Sequence, residues 1–148
     1  MKVVIQRCKK ASITVNNEKI ANIDEGYVLF AGFTDGDDYN VIKKIAKKII
    51  DLRIFEDENE KMNLDIKTVS GSILSVSQFT LYAKLDGRRP SFSKALAYDE
   101  AKKLYDLFNE ELKTYNVPVA TGMFGADMKV SLLNDGPVTI IIDSEDFS

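Results

Sequence analysis

The sequence lacks histidine and tryptophan altogether, and its 148 residues hold a single cysteine and three prolines. Without histidine there is no Ser-His-Asp or Cys-His arrangement, no imidazole base and no imidazole metal ligand. One cysteine, Cys8, excludes an intrachain disulfide and a cysteine-built zinc site, and it fits a reducing cytosol. No apolar run approaches the roughly 20 residues of a membrane span. The opening Met1-Lys2-Val3-Val4-Ile5-Gln6-Arg7 turns polar too early for a signal peptide. The expectation is a cytoplasmic protein that uses neither metal nor cofactor. An excess of positive charge is missing too: 20 basic against 23 acidic residues give a net charge of -3. Broad, non-specific attraction to nucleic acid is therefore disfavoured, while a local basic patch is not.

What is present is an ordinary globular composition, 45% hydrophobic and 29% charged. A chain of this length buries about two-thirds of its unfolded surface, enough for a core without staples. No linker, repeat or low-complexity tract divides it, so one domain over residues 1–148 is expected.

Short strands dominate the first third. Val3 to Cys8 is mostly β-branched, and Ala11 to Val15 alternates, with Ile13 and Val15 on one face. Asn16-Asn17 suits a tight turn because asparagine tolerates positive φ. Glu18 to Ile23 and Gly26 to Phe33 continue a meander. Asp37-Asp38 supplies cap residues for a helix on which Val41, Ile42, Ile45, Ala46, Ile49 and Ile50 share a face. Lys43, Lys44, Lys47 and Lys48 share the opposite, solvated face. Leu52 to Phe55 predicts a strand, Glu56 to Lys61 a charged loop, and Ser72 to Phe79 a buried strand running into Thr80-Leu81-Tyr82. A second amphipathic helix is predicted over about Tyr98 to Tyr115. Met128 to Leu133 and Val138 to Ile142 read as two strands joined by Asn134-Asp135-Gly136-Pro137. The fold class is α+β: a mostly antiparallel, barrel-like sheet with two long helices packed on it.

Chemistry has few places to sit. In Ser77-Gln78-Phe79-Thr80, hydroxyls and an amide close a strand; they either hold an ester, with Gln78 donating to its carbonyl oxygen, or simply satisfy the strand end. Thr80 or Ser77 as nucleophile would need a base, and none is in the segment. Gly87-Arg88-Arg89-Pro90-Ser91-Phe92 suits phosphate contact and base stacking, or is a surface loop whose arginines pair with carboxylates. Gly122 and Gly125 flank Met123-Phe124, presenting an apolar pair where backbone can approach a ligand. Gly136-Pro137 is either a defined turn that aims carbonyl oxygens or a plain hairpin turn. Cys8 reads as a buried, inert thiol.

Taken with Gln6-Arg7 and Ala11-Ser12-Ile13-Thr14-Val15, these blocks resemble the signatures of the D-aminoacyl-tRNA deacylase family. They are Ser77 to Leu81, Gly87 to Phe92, Pro118 to Met128 and Asn134 to Thr139, and the likeness runs from Met1 to about Ser144. The resemblance implies a cytosolic homodimer that hydrolyses the ester between a D-amino acid and tRNA and also removes glycine mischarged onto alanine tRNA. It implies two active sites at the subunit interface, with no metal and no cofactor. Gly136 and Pro137 would form a cis pair reaching into the partner's pocket, their carbonyl oxygens binding the substrate α-amino group so that an L side chain collides. Ser77, Gln78, Phe79 and Thr80 would line the pocket around the terminal adenosine and scissile carbonyl. Met123, Phe124 and Gly125 would shape the opposite wall, Arg7 would hold the partner's Gly-Pro loop, and Arg88 and Arg89 would contact tRNA. Water would attack with help from the ribose 2′-OH; alternatives are a Thr80 nucleophile, or a nucleic-acid-binding factor without catalysis. Cys8 stands where the family more often has valine.

Overall fold

The computed structural model describes residues 1–147. Strand β1 spans Lys2–Val15, β2 Glu18–Ile23 and β3 Gly26–Gly32, followed by helix α1 over Tyr39–Asp51. Strands β4 (Phe55–Glu56) and β5 (Met62–Leu64) make a small hairpin, and β6 covers Ser72–Ser77. A 3-10 turn over Phe79–Tyr82, helix α2 (Tyr98–Lys113), β7 (Val119–Thr121), β8 (Lys129–Asp143) and a final 3-10 turn complete the order.

The main sheet runs β2-β1-β3-β6-β7, with β8 also paired to β1. Pairings of β1 with β2, β3 and β8 are antiparallel, whereas β3-β6 and β6-β7 are parallel. The long β1 serves different neighbours along its length: residues 2–8 pair with β3 and residues 11–15 with β2. That shared strand curls the sheet into a barrel-like form with an inner and an outer apolar face. Ile13, Val28, Leu74 and Val76 fill the inner face, while Val3, Ile5, Leu29 and Ile73 pack against the helices.

The expected α+β class holds, with local differences. The two strands read in the first fifteen residues are one, because β8 stays paired past exposed Lys9-Lys10 through a register shift between Cys8 and Ala11. The two C-terminal strands are likewise one irregular strand. Of the expected 52–55 strand only Phe55 lies in a sheet; with Glu56, expected in the loop, it forms β4 and pairs with β5, which the sequence did not announce. Strand β6 stops at Ser77 rather than Phe79.

Helix α1 forms as its pattern predicts. The Asp38 carboxylate accepts the Val41 N–H at 3.0 Å, and Ile42, Ile45, Ala46, Ile49 and Ile50 are buried. Each fully buried isoleucine contributes about 1.5–3 kcal/mol. Helix α2 turns Ala101, Tyr105, Phe108 and Leu112 inward. Among the described residues no helix is long and apolar enough to cross a membrane.

Cys8 is fully buried, and burial pushes its thiol up to about 11. At pH 8 it is therefore almost wholly protonated. Alkylation by iodoacetamide at pH 8 is expected to be at least about a hundredfold slower in the native protein than in denaturant. Equal rates, followed by mass spectrometry, would contradict the buried placement.

Candidate active site

Two clusters hold the chemistry-bearing side chains. The first begins where β6 ends. Gln78 N–H donates to Ala31 O at 2.8 Å, holding the chain to β3 for one more residue. The backbone then tightens, with Leu81 N–H donating to Gln78 O at 3.3 Å and Ala83 N–H to Thr80 O at 3.1 Å. This 3-10 turn throws Phe79 and Thr80 to the surface.

Ser77, Gln78 and Phe79 form one wall of a cleft of about 330 Å³, with Phe33, Leu96, Tyr98, Phe124 and Gly125 around it. The facing wall is pinned by Gly122 N–H donating to Ser75 O at 2.9 Å and by Phe124 packing on Tyr98 and Tyr105, centroids 5.0 Å and 5.6 Å away. Tyr105 OH donates to the same Ser75 carbonyl at 2.7 Å, and burial raises its pKa above the ordinary phenol value. Gly125 sits at φ +79°, and a Cβ there would lie 2.7 Å from the Tyr98 ring. Only glycine keeps this wall open.

Thr80 faces a neighbouring hollow of about 340 Å³ with Val4, Gln6, Phe30, Gln78 and Leu81, so Gln78 borders both spaces. Its hydroxyl accepts a hydrogen bond from Gln78 Nε2 at 2.5 Å. That contact supplies a donor, not a base.

The second cluster surrounds the irregularity in β8. Asn134 pairs with Cys8 and Thr139 with Gln6, which leaves residues 135–138 outside the ladder as a bulge. Gly136-Pro137 is cis and exposed at its tip. Asn134 closes the bulge: its Oδ1 accepts Val138 N–H at 2.8 Å, and its Nδ2 donates to Thr139 Oγ1 at 3.0 Å. Beneath lies Arg7, only 3% exposed. Its Nε donates to Asp135 O at 3.0 Å and its Nη1 to Ile54 O at 2.5 Å. Glu56 at 3.8 Å and Asp135 at 3.7 Å neutralise its charge. Lys9 binds Asp135 and Glu25 from outside, and these carboxylates, Asp135 first, raise its pKa.

Ser77, Gln78, Phe79, Phe124 and Gly125 thus meet in one cleft, while Arg7, Gly136 and Pro137 meet elsewhere. Within the chain, Arg7 holds its own Gly-Pro loop, because β1 carries it directly under the bulge. Met123 is exposed beside the cleft wall rather than in its lining, and Arg88 and Arg89 stand on an exposed loop. Tyr98, Phe33 and Leu96 were not anticipated as lining; an aromatic at the very start of an amphipathic helix is the one signal that pointed to Tyr98. Among the described residues no group of three or more carboxylate or thiol side chains is placed to hold a metal.

The family model described as D-Tyr-tRNA(Tyr) deacylase matches residues 4–143. The chain belongs to that family. A D-aminoacyl-tRNA deacylase of Lactobacillus gasseri is 52% identical over 144 residues, covering 97% of this chain and 99% of its own length. One from Listeria monocytogenes is 50% identical over 147 residues, 99% of this chain and 97% of the relative. A solved structure described as c-Myc DNA Unwinding Element Binding Protein superposes with a TM-score of 0.92 at 38% identity, covering 97% of this chain and 98% of that one. A probable eukaryotic D-amino acid tRNA deacylase shares the fold, with a TM-score of 0.81 at 20% identity over 95% and 97% of the two chains. Deacylase membership makes this chain an ester hydrolase, as the sequence motifs implied.

Proposed function

We propose that this chain frees tRNA from D-amino acids by hydrolysing the ester at the terminal adenosine, acting in the cytoplasm as a homodimer. Each site would combine the cleft of one subunit with the Gly136-Pro137 bulge of the other. Supporting that pairing, the hollow at the base of the bulge, lined by Arg7 and Asp135, has different lining residues from the cleft, and Leu133 and Ile141 of β8 are exposed on either side of the bulge.

In this reading the carbonyl oxygens of Gly136 and Pro137 accept hydrogen bonds from the substrate α-amino group. A D side chain then points to open space, whereas an L side chain meets backbone. Glycine has nothing to reject, so glycine mischarged onto alanine tRNA is a substrate. The oxygen of water attacks the ester carbonyl carbon, assisted by the ribose 2′-OH, while Gln78 and backbone N–H groups stabilise the oxyanion. The bond to the ribose 3′-oxygen breaks, and that oxygen takes up a proton. One water is consumed, and the amino acid and tRNA leave.

The observation that carries the choice of mechanism is the Thr80 hydroxyl: it accepts from an amide donor, in a chain without a single histidine. Thr80→Ala is expected to keep deacylation of D-Tyr-tRNA within about tenfold, since no bond is made by that oxygen. A loss beyond about a thousandfold in a folded protein, with an acyl adduct on Thr80 of the native enzyme by mass spectrometry, would make Thr80 the nucleophile. The resemblance to a protein named for binding a DNA unwinding element favours a second reading, a binding factor without catalysis; it predicts DNA binding and no release of D-tyrosine.

A further inference from the structure

At the mouth of the cleft the chain leaves aromatic surface exposed. Phe79 is 56% exposed and Phe92 37% exposed, yet the two rings hold each other edge to face with centroids 5.0 Å apart. Their loop is held at its neck: Lys84 N–H donates to Ser91 O at 2.7 Å, and Ser91 N–H donates to Lys84 O at 3.0 Å. Those two bonds turn residues 85–90 into a defined projection that carries exposed Arg88 and Arg89, with Pro90 and Ser91 between them and Phe92. Residues 84–94 hold Lys84, Arg88, Arg89 and Lys94 against the single acid Asp86, a basic island in a chain of net charge -3. Phe79 also belongs to the cleft wall, so the platform begins at the cleft mouth.

We infer that Phe79 and Phe92, with Arg88 and Arg89, form a stacking subsite for the unpaired nucleotides that precede the terminal adenosine of the tRNA. The occupant is single-stranded RNA because an exposed ring pair, with two exposed arginines on the loop between them in the sequence, offers a base a face to stack on and its phosphate a cation. The inference rests on the proposed deacylase reading, in which the terminal adenosine occupies the adjoining cleft.

Two substrates separate the two claims. D-Tyr-tRNA carries the preceding nucleotides, whereas 3′-O-(D-tyrosyl)adenosine does not. Phe92→Ala is expected to raise KM for D-Tyr-tRNA by about tenfold or more, with kcat and hydrolysis of the adenosine ester unchanged. Phe92→Tyr, which keeps the ring, restores KM. Arg88→Ala/Arg89→Ala raises KM for D-Tyr-tRNA and flattens its dependence on salt. Equal effects of Phe92→Ala on both substrates, or on neither, would overturn the subsite, as would a change of oligomeric state showing that a second copy covers the platform. If the parent protein hydrolyses neither substrate, the deacylase reading itself fails.

Discussion

Gly136→Ala is expected to lower kcat/KM for D-Tyr-tRNA by about a hundredfold while the protein still folds. Two independent constraints meet at this residue. Its φ of +130° is a region that L side chains rarely adopt, and a Cβ would lie 2.9 Å from Val138 Cγ2 and 3.0 Å from Arg7 Nη2. Neither neighbour can yield freely, because Val138 is 7% exposed and Arg7 is bonded to two carbonyl oxygens. The bulge must therefore shift, at a backbone cost of about 1–3 kcal/mol. A displacement of about 1 Å in a positioning group is worth about a hundredfold in rate. Gly87→Ala is the stability control, since nothing lies within 4 Å of its Cβ, and it is expected to leave the thermal midpoint unchanged. Single-turnover deacylation beside circular dichroism reads both outcomes. Unchanged activity in Gly136→Ala would remove the bulge from the site.

Arg7→Ala is expected to cost about 3–5 kcal/mol of unfolding free energy, the largest stability effect of any substitution considered for this chain. The guanidinium is buried, and its removal strips donors from Ile54 O and Asp135 O and takes a cation from Glu56, while Asp135 keeps only Lys9. Arg7→Lys keeps the charge but loses the fork that reaches two carbonyls on different segments. It is expected to recover part of the stability and little of the activity, because the bulge loses its support from β1. Urea titration of both variants with matched deacylation assays separates the two effects. An Arg7→Lys protein as active as the parent would show that the Gly-Pro bulge positions itself without Arg7.

The parts of the fold with local causes were legible in the sequence. Helix α1 follows from its Asp38 cap and isoleucine spacing, and the Asn16-Asn17 turn adopts positive φ, 49° and 65°, as asparagine permits. The parallel pairing of β3 with β6 was not legible, because a contact between residues more than 40 positions apart leaves no periodic trace. Continuity of β1 was hidden by Lys9-Lys10, whose exposed side chains interrupt the alternation although the backbone ladder to β8 resumes beyond them. At the site, Ser77, Gln78 and Phe79 could be singled out because hydroxyl and amide groups closing a buried strand call for a use. Phe33 and Leu96 could not, since they reach the cleft from just beyond β3 and just before α2 only after folding. Arg7 alternates in β1 like any core-facing position. Its burial against the bulge became visible only once β8 was laid beside it.

The central claim is that the site admits D-aminoacyl esters and excludes their L counterparts by backbone geometry. Hydrolysis of D-Tyr-tRNA and L-Tyr-tRNA by the purified protein, side by side at one enzyme concentration, tests it most directly. D-tyrosine is expected to be released rapidly, with L-Tyr-tRNA left at its spontaneous rate of decay. Comparable hydrolysis of both esters would contradict it.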